Sequence, residues 1–418
     1  MKNRKKPNLL FLLLILALAL FASGGCGGGT GGSSGLVGEN GTAENPWQVK
    51  TAEQLNAVRN DLTAHYKLVA DIDLSSTEYA NNWTPIGRFA GTAEDPDMPD
   101  PSVAFTGTFD GNGHTVSNLK IEDAETARGV GLFGCSAGSA VIKNLAVENA
   151  SVHAAAGNGV AAVVGMALQA NDAAIKNVAL KGENNISGVS MVGGIVGGGY
   201  CGLDGCSAAA NITLLSDTGN SAGVLAGGMS DMGTGCSITS CDVTGGSIRT
   251  DSGACAGVVG GLTGCATDYD AIKNCSVKNV SINMPDGSVM IGGLVGAAGK
   301  VTEGGMAVNP RGFTLIEGCS VNDVTIAAAG SSRVGGVVGS GFYFQFEPYL
   351  SYYPVPAAMQ IVNCSARGTI SGREAVGSVV GYIYHNSVVT SCTGEMAGAS
   401  HQVGAAEAAA VVSLMEVR

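Results

Sequence analysis

The stretch Ile272-Lys273-Asn274-Cys275-Ser276-Val277-Lys278-Asn279-Val280-Ser281-Ile282 decides the fold. Cys275 and Val277 are two apart, as are Val280 and Ile282. That spacing puts each pair on one face of a short strand. The steps from Ile272 to Cys275 and from Val277 to Val280 are three residues long and break the alternation. A chain that keeps its apolar residues inside through such a step must turn a corner. Asn274 stands at the first corner, and asparagine tolerates the left-handed backbone that corners need.

The same phrase recurs in both directions. Close copies are Ile142-x-Asn144-Leu145-x-Val147 with Ala150 and Val152, and Ile316-x-Gly318-Cys319-x-Val321 with Val324 and Ile326. Partial copies start at Ile175, Leu203, Ile238, Ile361 and Val389. The corner position is filled in turn by Asn144, Asn177, Gly205, Ser240, Asn274, Gly318, Asn363 and Ser391. Between copies runs a glycine phrase: Val192-Gly193-Gly194-Ile195-Val196-Gly197, Ile291-Gly292-Gly293-Leu294-Val295-Gly296, Val334-Gly335-Gly336-Val337-Val338-Gly339 and Val376-Gly377-Ser378-Val379-Val380-Gly381. A recurrence of this period marks a repeat architecture. Two short strands from the first phrase and one from the second predict three strands per repeat around a narrow apolar interior. The fold class is therefore all-β: a single-stranded, right-handed parallel β-helix solenoid with a short N-terminal helical cap. The composition agrees. The chain has 65 Gly, is 45% hydrophobic and only 13% charged, against about 25% charged in ordinary chains. Glycine at this density opposes helices.

The paired phrases resemble the GLUG-motif repeats of bacterial surface proteins, including regions that flank immunoglobulin A-cleaving metallopeptidases. The resemblance extends upstream through Trp47-Gln48-Val49, Thr51-Ala52-Glu53-Gln54-Leu55, Ala70-Asp71-Ile72-Asp73-Leu74, Trp83-Thr84-Pro85-Ile86-Gly87 and Phe105 to His114. It covers roughly residues 45–398. It implies a β-helical, surface-located, usually non-catalytic module. Read by itself, the upstream part offers Thr51 as a helix N-cap with Gln54 three residues on, as in a capping box. Leu55, Val58 and Leu62 follow at helical spacing, a cap for the first coil. The end of the chain, from Val403, suits a terminal strand or a closing helix.

The N-terminus reads as an export signal. Lys2, Arg4, Lys5 and Lys6 precede an apolar run from Leu9 to Phe21, short for a membrane span and suited to a signal-peptide core. Small residues then lead to Cys26, the candidate lipidation site, although Ser23 stands where leucine is usual; plain secretion is the alternative. The organisation is thus a signal over 1–26, a Gly/Ser-rich tether over 27–44, an N-terminal cap and first coils over 45–128, repeats over 129–398, and a C-terminal cap or tail over 399–418. The expected location is outer membrane or cell surface, otherwise secreted. A lipid anchor is the sole membrane contact expected. The net charge of −12 disfavours nucleic acid, whose phosphates need a basic face.

Six of the 12 cysteines, Cys206, Cys241, Cys275, Cys319, Cys364 and Cys392, occupy one slot that Leu145 and Val178 fill in earlier copies. That slot points inward, and cysteine serves there as a small hydrophobe. Cys201 and Cys236 each precede a ladder cysteine by five residues, which brings them to adjacent coils; they form the candidate disulfide. No cofactor and no metal site are expected. No paired C-x-x-C occurs, and no histidine begins H-E-x-x-H, the zinc-peptidase signature. Glu94, Asp95, Asp97 and Asp100 cluster among prolines as a solvated loop, with calcium binding as the alternative. The ligand-binding candidates are Phe342, Tyr343, Phe344, Phe346, Tyr349, Tyr352 and Tyr353, an aromatic insertion stiffened by Pro348, Pro354 and Pro356. Clustered rings suit a surface glycan or an extracellular host protein; a lid folded onto the solenoid flank is the other reading. The expected function is a non-catalytic adhesion module. A polysaccharide lyase or hydrolase, and a passive spacer, are the alternatives.

Overall fold

The phrase Ile272–Ile282 feeds two of three long parallel sheets in the computed structural model. The structure describes residues 40–90, 100, 102–123, 125, 128–169, 174–230, 236–251, 256–267, 269, 271–284, 289–301, 313–344, 354–383, 387–399, 401–406 and 411–413. The first sheet carries the leading isoleucine of every copy. One row of stacked side chains runs Tyr66, Phe109, Ile142, Ile175, Leu203, Ile238, Ile272, Ile316, Ile361 and Val389, and strand Val411–Ser413 continues its backbone register. The partial copies therefore stack in the same register as the clean ones.

All eight predicted corners have positive φ, from 51° at Asn177 to 64° at Gly205 and Gly318. The asparagines also bond along the stack: Asn144 Nδ2 donates to Asp110 Oδ1 at 3.0 Å, and Asn177 Nδ2 to Asn144 Oδ1 at 3.1 Å. A second corner follows five residues later, with Asn149, Asn279 and Asp323 at φ of 53–55°. This corner is soft. Strands Ser276–Lys278 and Val280–Asn283 flank it, yet both belong to the second sheet, and in neighbouring coils they merge into Asp242–Thr250 and Ser320–Ala327.

The expected three strands per repeat become five segments over three sheets. The leading isoleucine occupies a segment of its own (Ala271–Lys273), and the glycine phrase spans two, such as Val289–Gly292 and Val295–Val301. The glycines explain the split. A Cβ on Gly292 would lie 1.9 Å from the Val295 carbonyl oxygen, and one on Gly296 would lie 2.6 Å from the Val259 nitrogen of the preceding coil. The two arms of the third sheet thus fold backbone against backbone. Gly293 sits in the crease itself, where a Cβ would meet the Gly336 oxygen at 2.1 Å. Ile291, Leu294 and Val295 still point inward and are fully buried.

Ala52–Ala57 form a short helix capped by Thr51, whose hydroxyl accepts from Gln54 N at 3.3 Å. Gln54 reaches back to accept from Lys50 N at 2.9 Å, one residue beyond the usual capping-box partner. The helix passes into a 3-10 turn at Val58–Asn60, so Leu62 packs from beyond it. Leu55 and Val58 join one core that continues to Met396. Beside this cap lies an aromatic plug: Phe133 packs on Phe105 and Phe109 at ring distances of 5.1 and 5.2 Å, with Tyr66 against Phe105 and Trp83 buried nearby. At the far end His401–Ala406 and Val411–Ser413 are strands paired parallel to the preceding coil, which decides for the terminal strand over the helix.

Two predictions test this arrangement. Ile282 is fully buried and Ser281 is exposed on the same strand. Ile282→Asp should destabilise by more than about 3 kcal/mol through a buried, unpaired charge, and Ser281→Asp by less than about 0.5 kcal/mol. Urea unfolding midpoints read both, and equal effects would refute the inside–outside assignment. Gly293→Ala, which adds one methyl in the crease, should cost at least about 1–3 kcal/mol by overpacking; a neutral result in the same assay would mean that the creases of successive coils are not in backbone contact.

Candidate functional site

The outward residues of the second sheet build the site. Inward Ile121, Val152, Ile186, Ile212 and Ile248 stack on successive coils. The residues on either side of each must then face out, because side chains alternate along a strand. The outward pairs are Lys120 and Glu122, Ser151 and His153, Asn185 and Ser187, Asn211 and Thr213, and Ser247 and Arg249. All of these but Lys120, together with Leu215 and Asp251, line a concavity of about 650 Å³.

Hydrogen bonds between coils order these side chains. His153 Nδ1 lies 2.7 Å from Ser187 Oγ. Asn211 Nδ2 donates to Asn185 Oδ1 at 3.1 Å, and Ser247 Oγ donates to Asn211 Oδ1 at 3.0 Å. Arg249 Nε donates to Thr213 Oγ1 at 3.2 Å, and its Nη1 sits 3.7 Å from Asp251 Oδ1. Each residue retains further donor or acceptor capacity: an amide offers two donors and two acceptor sites, and a guanidinium five donors. The face therefore presents aligned, partly engaged polar groups on a rigid ladder.

Acyl-transfer chemistry asks more of the Ser187–His153 pair. A base needs an orienting partner, and a tetrahedral intermediate needs aimed donors. Glu122 stands one coil before His153, but its backbone is tied to Asn82, by N–H to Oδ1 at 3.1 Å and by O from Nδ2 at 3.3 Å. Among the described residues no carboxylate pairs with His153, and no group of three or more His, Cys, Asp or Glu is placed to hold a metal ion.

The aromatic insertion is described at its stem alone. Phe342–Phe344 pairs antiparallel with Pro354, Val355 and Pro356, and the same strand pairs antiparallel with Lys300 and Val301. Backbone bonds thus stitch the stem to the flank of the third sheet, the one place among the described residues where the ladder turns antiparallel. Phe346, Tyr349, Tyr352 and Tyr353 lie outside the described residues, as do Cys26, Glu94, Asp95 and Asp97. No helix among the described residues is long and apolar enough to cross a membrane.

The cysteine slot is buried throughout. The corner turns backbone carbonyls toward the interior, and the thiols meet them: Cys275 Sγ lies 3.3 Å from the Lys273 oxygen and 3.6 Å from the Ile238 oxygen of the coil before, and Cys319, Cys364 and Cys392 repeat the pattern. Leucine at this slot, as at Leu145, would leave those carbonyls without that contact. Cys201 and Cys236, the candidate disulfide, stand as buried free thiols in the structure. Cys201 bonds through its backbone to the buried Tyr269 hydroxyl, and Cys236 Sγ faces the Gln169 oxygen at 3.9 Å.

The chain has relatives in part. Over 161 residues, 38% of its length, it is 38% identical to halomucin of Haloquadratum walsbyi, and that match takes in 2% of halomucin. Over 155 residues, 36% of its length, it is 32% identical to a protein of Evansella cellulosilytica provisionally named a Gly-rich membrane protein, of which the match takes in 16%. The chain thus spans a small part of the curated relatives it matches. No family model matches, so the GLUG resemblance rests on the motifs quoted above. Among solved structures, one provisionally described as an immunoglobulin A1 protease of Bacteroides ovatus aligns over 78% of this chain and 86% of its own, with 20% identity and a TM-score of 0.48. Another, named IgA1 protease, aligns over 86% of this chain and 21% of its own, with 14% identity and a TM-score of 0.30. Neither likeness is close enough to carry a function.

Sequence reading missed the polar face, because its residues vary from coil to coil. The available signal was positional: Ser151-Val-His153, Asn185-Ile-Ser187, Asn211-Ile-Thr213 and Ser247-Ile-Arg249 flank the inward aliphatic with polar groups in consecutive repeats.

The thiols yield a pH prediction. Burial pushes Cys135 from 9.0 up to about 12, raises Cys265, and with Cys236 and Cys206 nearby raises Cys201 well above the ordinary range. The unfolded chain loses these protons near pH 9 while the folded chain keeps them. Stability should hold below pH 9 and fall as the pH rises above it, with Cys135 alone contributing roughly 1.4 kcal/mol per pH unit between pH 9 and about 12. Denaturant midpoints against pH would show this slope, and Cys135→Ala should flatten it; a slope unchanged by that substitution would refute the contribution of Cys135.

Proposed function

We propose that the chain is an exported β-helical module for adhesion at a cell surface, held by a lipid on Cys26, that binds a surface glycan or an extracellular protein without transforming it. The observation that carries this reading is the concave polar face between Glu122 and Asp251. Its side chains are aligned by hydrogen bonds between coils rather than by a loop, so binding need not order them first, which lowers the entropic cost of recognition. The membrane-protein name of the Evansella relative is in keeping with export, and a tether such as residues 27–44 would hold the solenoid clear of its anchor. The aromatic insertion, stitched to the flank by Phe342–Phe344, supplies a second contact region under this reading.

A polysaccharide-active enzyme is the second reading. It draws on one specific observation: Glu122, His153, Arg249 and Asp251 share a single concavity, and acids with bases on one outer face are what glycan cleavage requires.

The deciding experiment uses the purified chain on immobilised glycans and matrix proteins, beside a form with residues 341–359 shortened and a His153→Ala, Arg249→Ala form. Binding without cleavage, weakened at least tenfold in one of the two variants, is expected. Cleavage of any bound glycan would replace adhesion with the enzyme reading, and absence of binding to every ligand would favour a passive spacer.

A further inference from the structure

Resting on the proposed adhesion, we infer that the concave face takes a linear, uncharged polysaccharide laid along the stacking axis, with one set of contacts per coil. Three features of the face lead there.

The first is direction. The bonds that order the face run from coil to coil: His153 to Ser187, Asn185 to Asn211 to Ser247, and Thr213 to Arg249. Polar side chains therefore recur along the axis at the ladder spacing of about 4.8 Å, and five rungs from Glu122 to Arg249 extend over roughly 19 Å. A ligand that can meet polar groups at a constant step along one axis is a polymer.

The second is charge. Glu122 stands at one end of the face and the Arg249–Asp251 pair at the other, and the central rungs Asn185, Ser187, Asn211 and Thr213 are neutral. The whole chain carries −12. Polyanions meet an unfavourable field, and a polycation finds no carboxylate on the central rungs to pair with. Paired donors and acceptors on neutral amides and hydroxyls match ligand hydroxyls, which also donate and accept.

The third is the absence of large aromatic side chains. Among the described residues no Phe, Tyr or Trp lines this concavity. Stacking cannot supply affinity here, so each unit binds weakly, and strength comes from simultaneous contacts on a rigid row. Affinity must then rise with ligand length until the rungs are filled. An exposed protein loop would show no such dependence.

Isothermal titration of the full chain with cello-, manno- and xylo-oligosaccharides of two to eight units tests this. At least one series should tighten by tenfold or more between the dimer and the pentamer or hexamer, and then level off. Asn185→Ala together with Asn211→Ala, with an unchanged circular dichroism spectrum, should lose at least tenfold for the long ligand and little for the dimer. Binding that ignores length, binding confined to sulfated or uronate polymers, or no binding to any neutral series would each overturn the axial site. If glycan or protein binding persists in the double variant and is lost when residues 341–359 are shortened, adhesion stands and the axial site falls. If neither form binds anything, both fall together.

Discussion

The third sheet closes because two of its strands can touch through their backbones. At Gly193 and Gly197, and again at Gly292 and Gly296, a methyl group would sit within about bonding range of a neighbouring carbonyl or amide, between 1.9 and 2.6 Å. Hydrogen is the one substituent that fits. The crease brings Ile195 and Leu294 to face the second sheet, and it narrows the interior until small aliphatic and thiol side chains fill it. Close packing of this kind leaves little tolerance for a change of even one methylene. The stacked rows of the first and second sheets inherit their register from that closure, since a slip of one residue would turn each inward row outward.

The polar face follows from the same constraint. Inward positions are restricted by volume, so the outward positions beside them are free to vary without cost to the core. Ser151 and His153 flank one buried valine, and Ser247 and Arg249 flank one buried isoleucine. Chemistry can thus change from coil to coil while the scaffold stays constant. The ladder also holds these groups more firmly than a loop would, because every rung is bonded to the rungs before and after it.

What the sequence made legible divides along that line. Corners could be read because the backbone there rejects most side chains: Asn144, Asn274 and Asn363 all take the left-handed turn predicted for them. The inward thiol row could be read because Leu145 and Val178 share its slot. The folding of one glycine phrase into two arms could not, because period and composition do not distinguish a glycine needed for φ from one needed for close approach; Gly292 and Gly296 are of the second kind. The concave face escaped for a related reason. His153 and Ser187 are 34 residues apart, and nothing local links them until the register of two coils is known. The aromatic insertion was conspicuous in sequence because it departs from the repeat, whereas the polar face is hidden within it.

The rings of the interior are unevenly distributed. Tyr66, Trp83, Phe105, Phe109 and Phe133 lie in the first coils beside the helix, and among the described residues Tyr269 is the one comparably large side chain fully buried later. Aromatic residues bury the greatest area per side chain, and in a stack each coil is steadied mainly by its neighbours. Along the described coils, resistance to unravelling therefore declines from the plug toward Val411–Ser413. The face between Glu122 and Asp251 lies on the guarded side of that gradient. Loss of the coils beyond Asp251 would leave that surface in place.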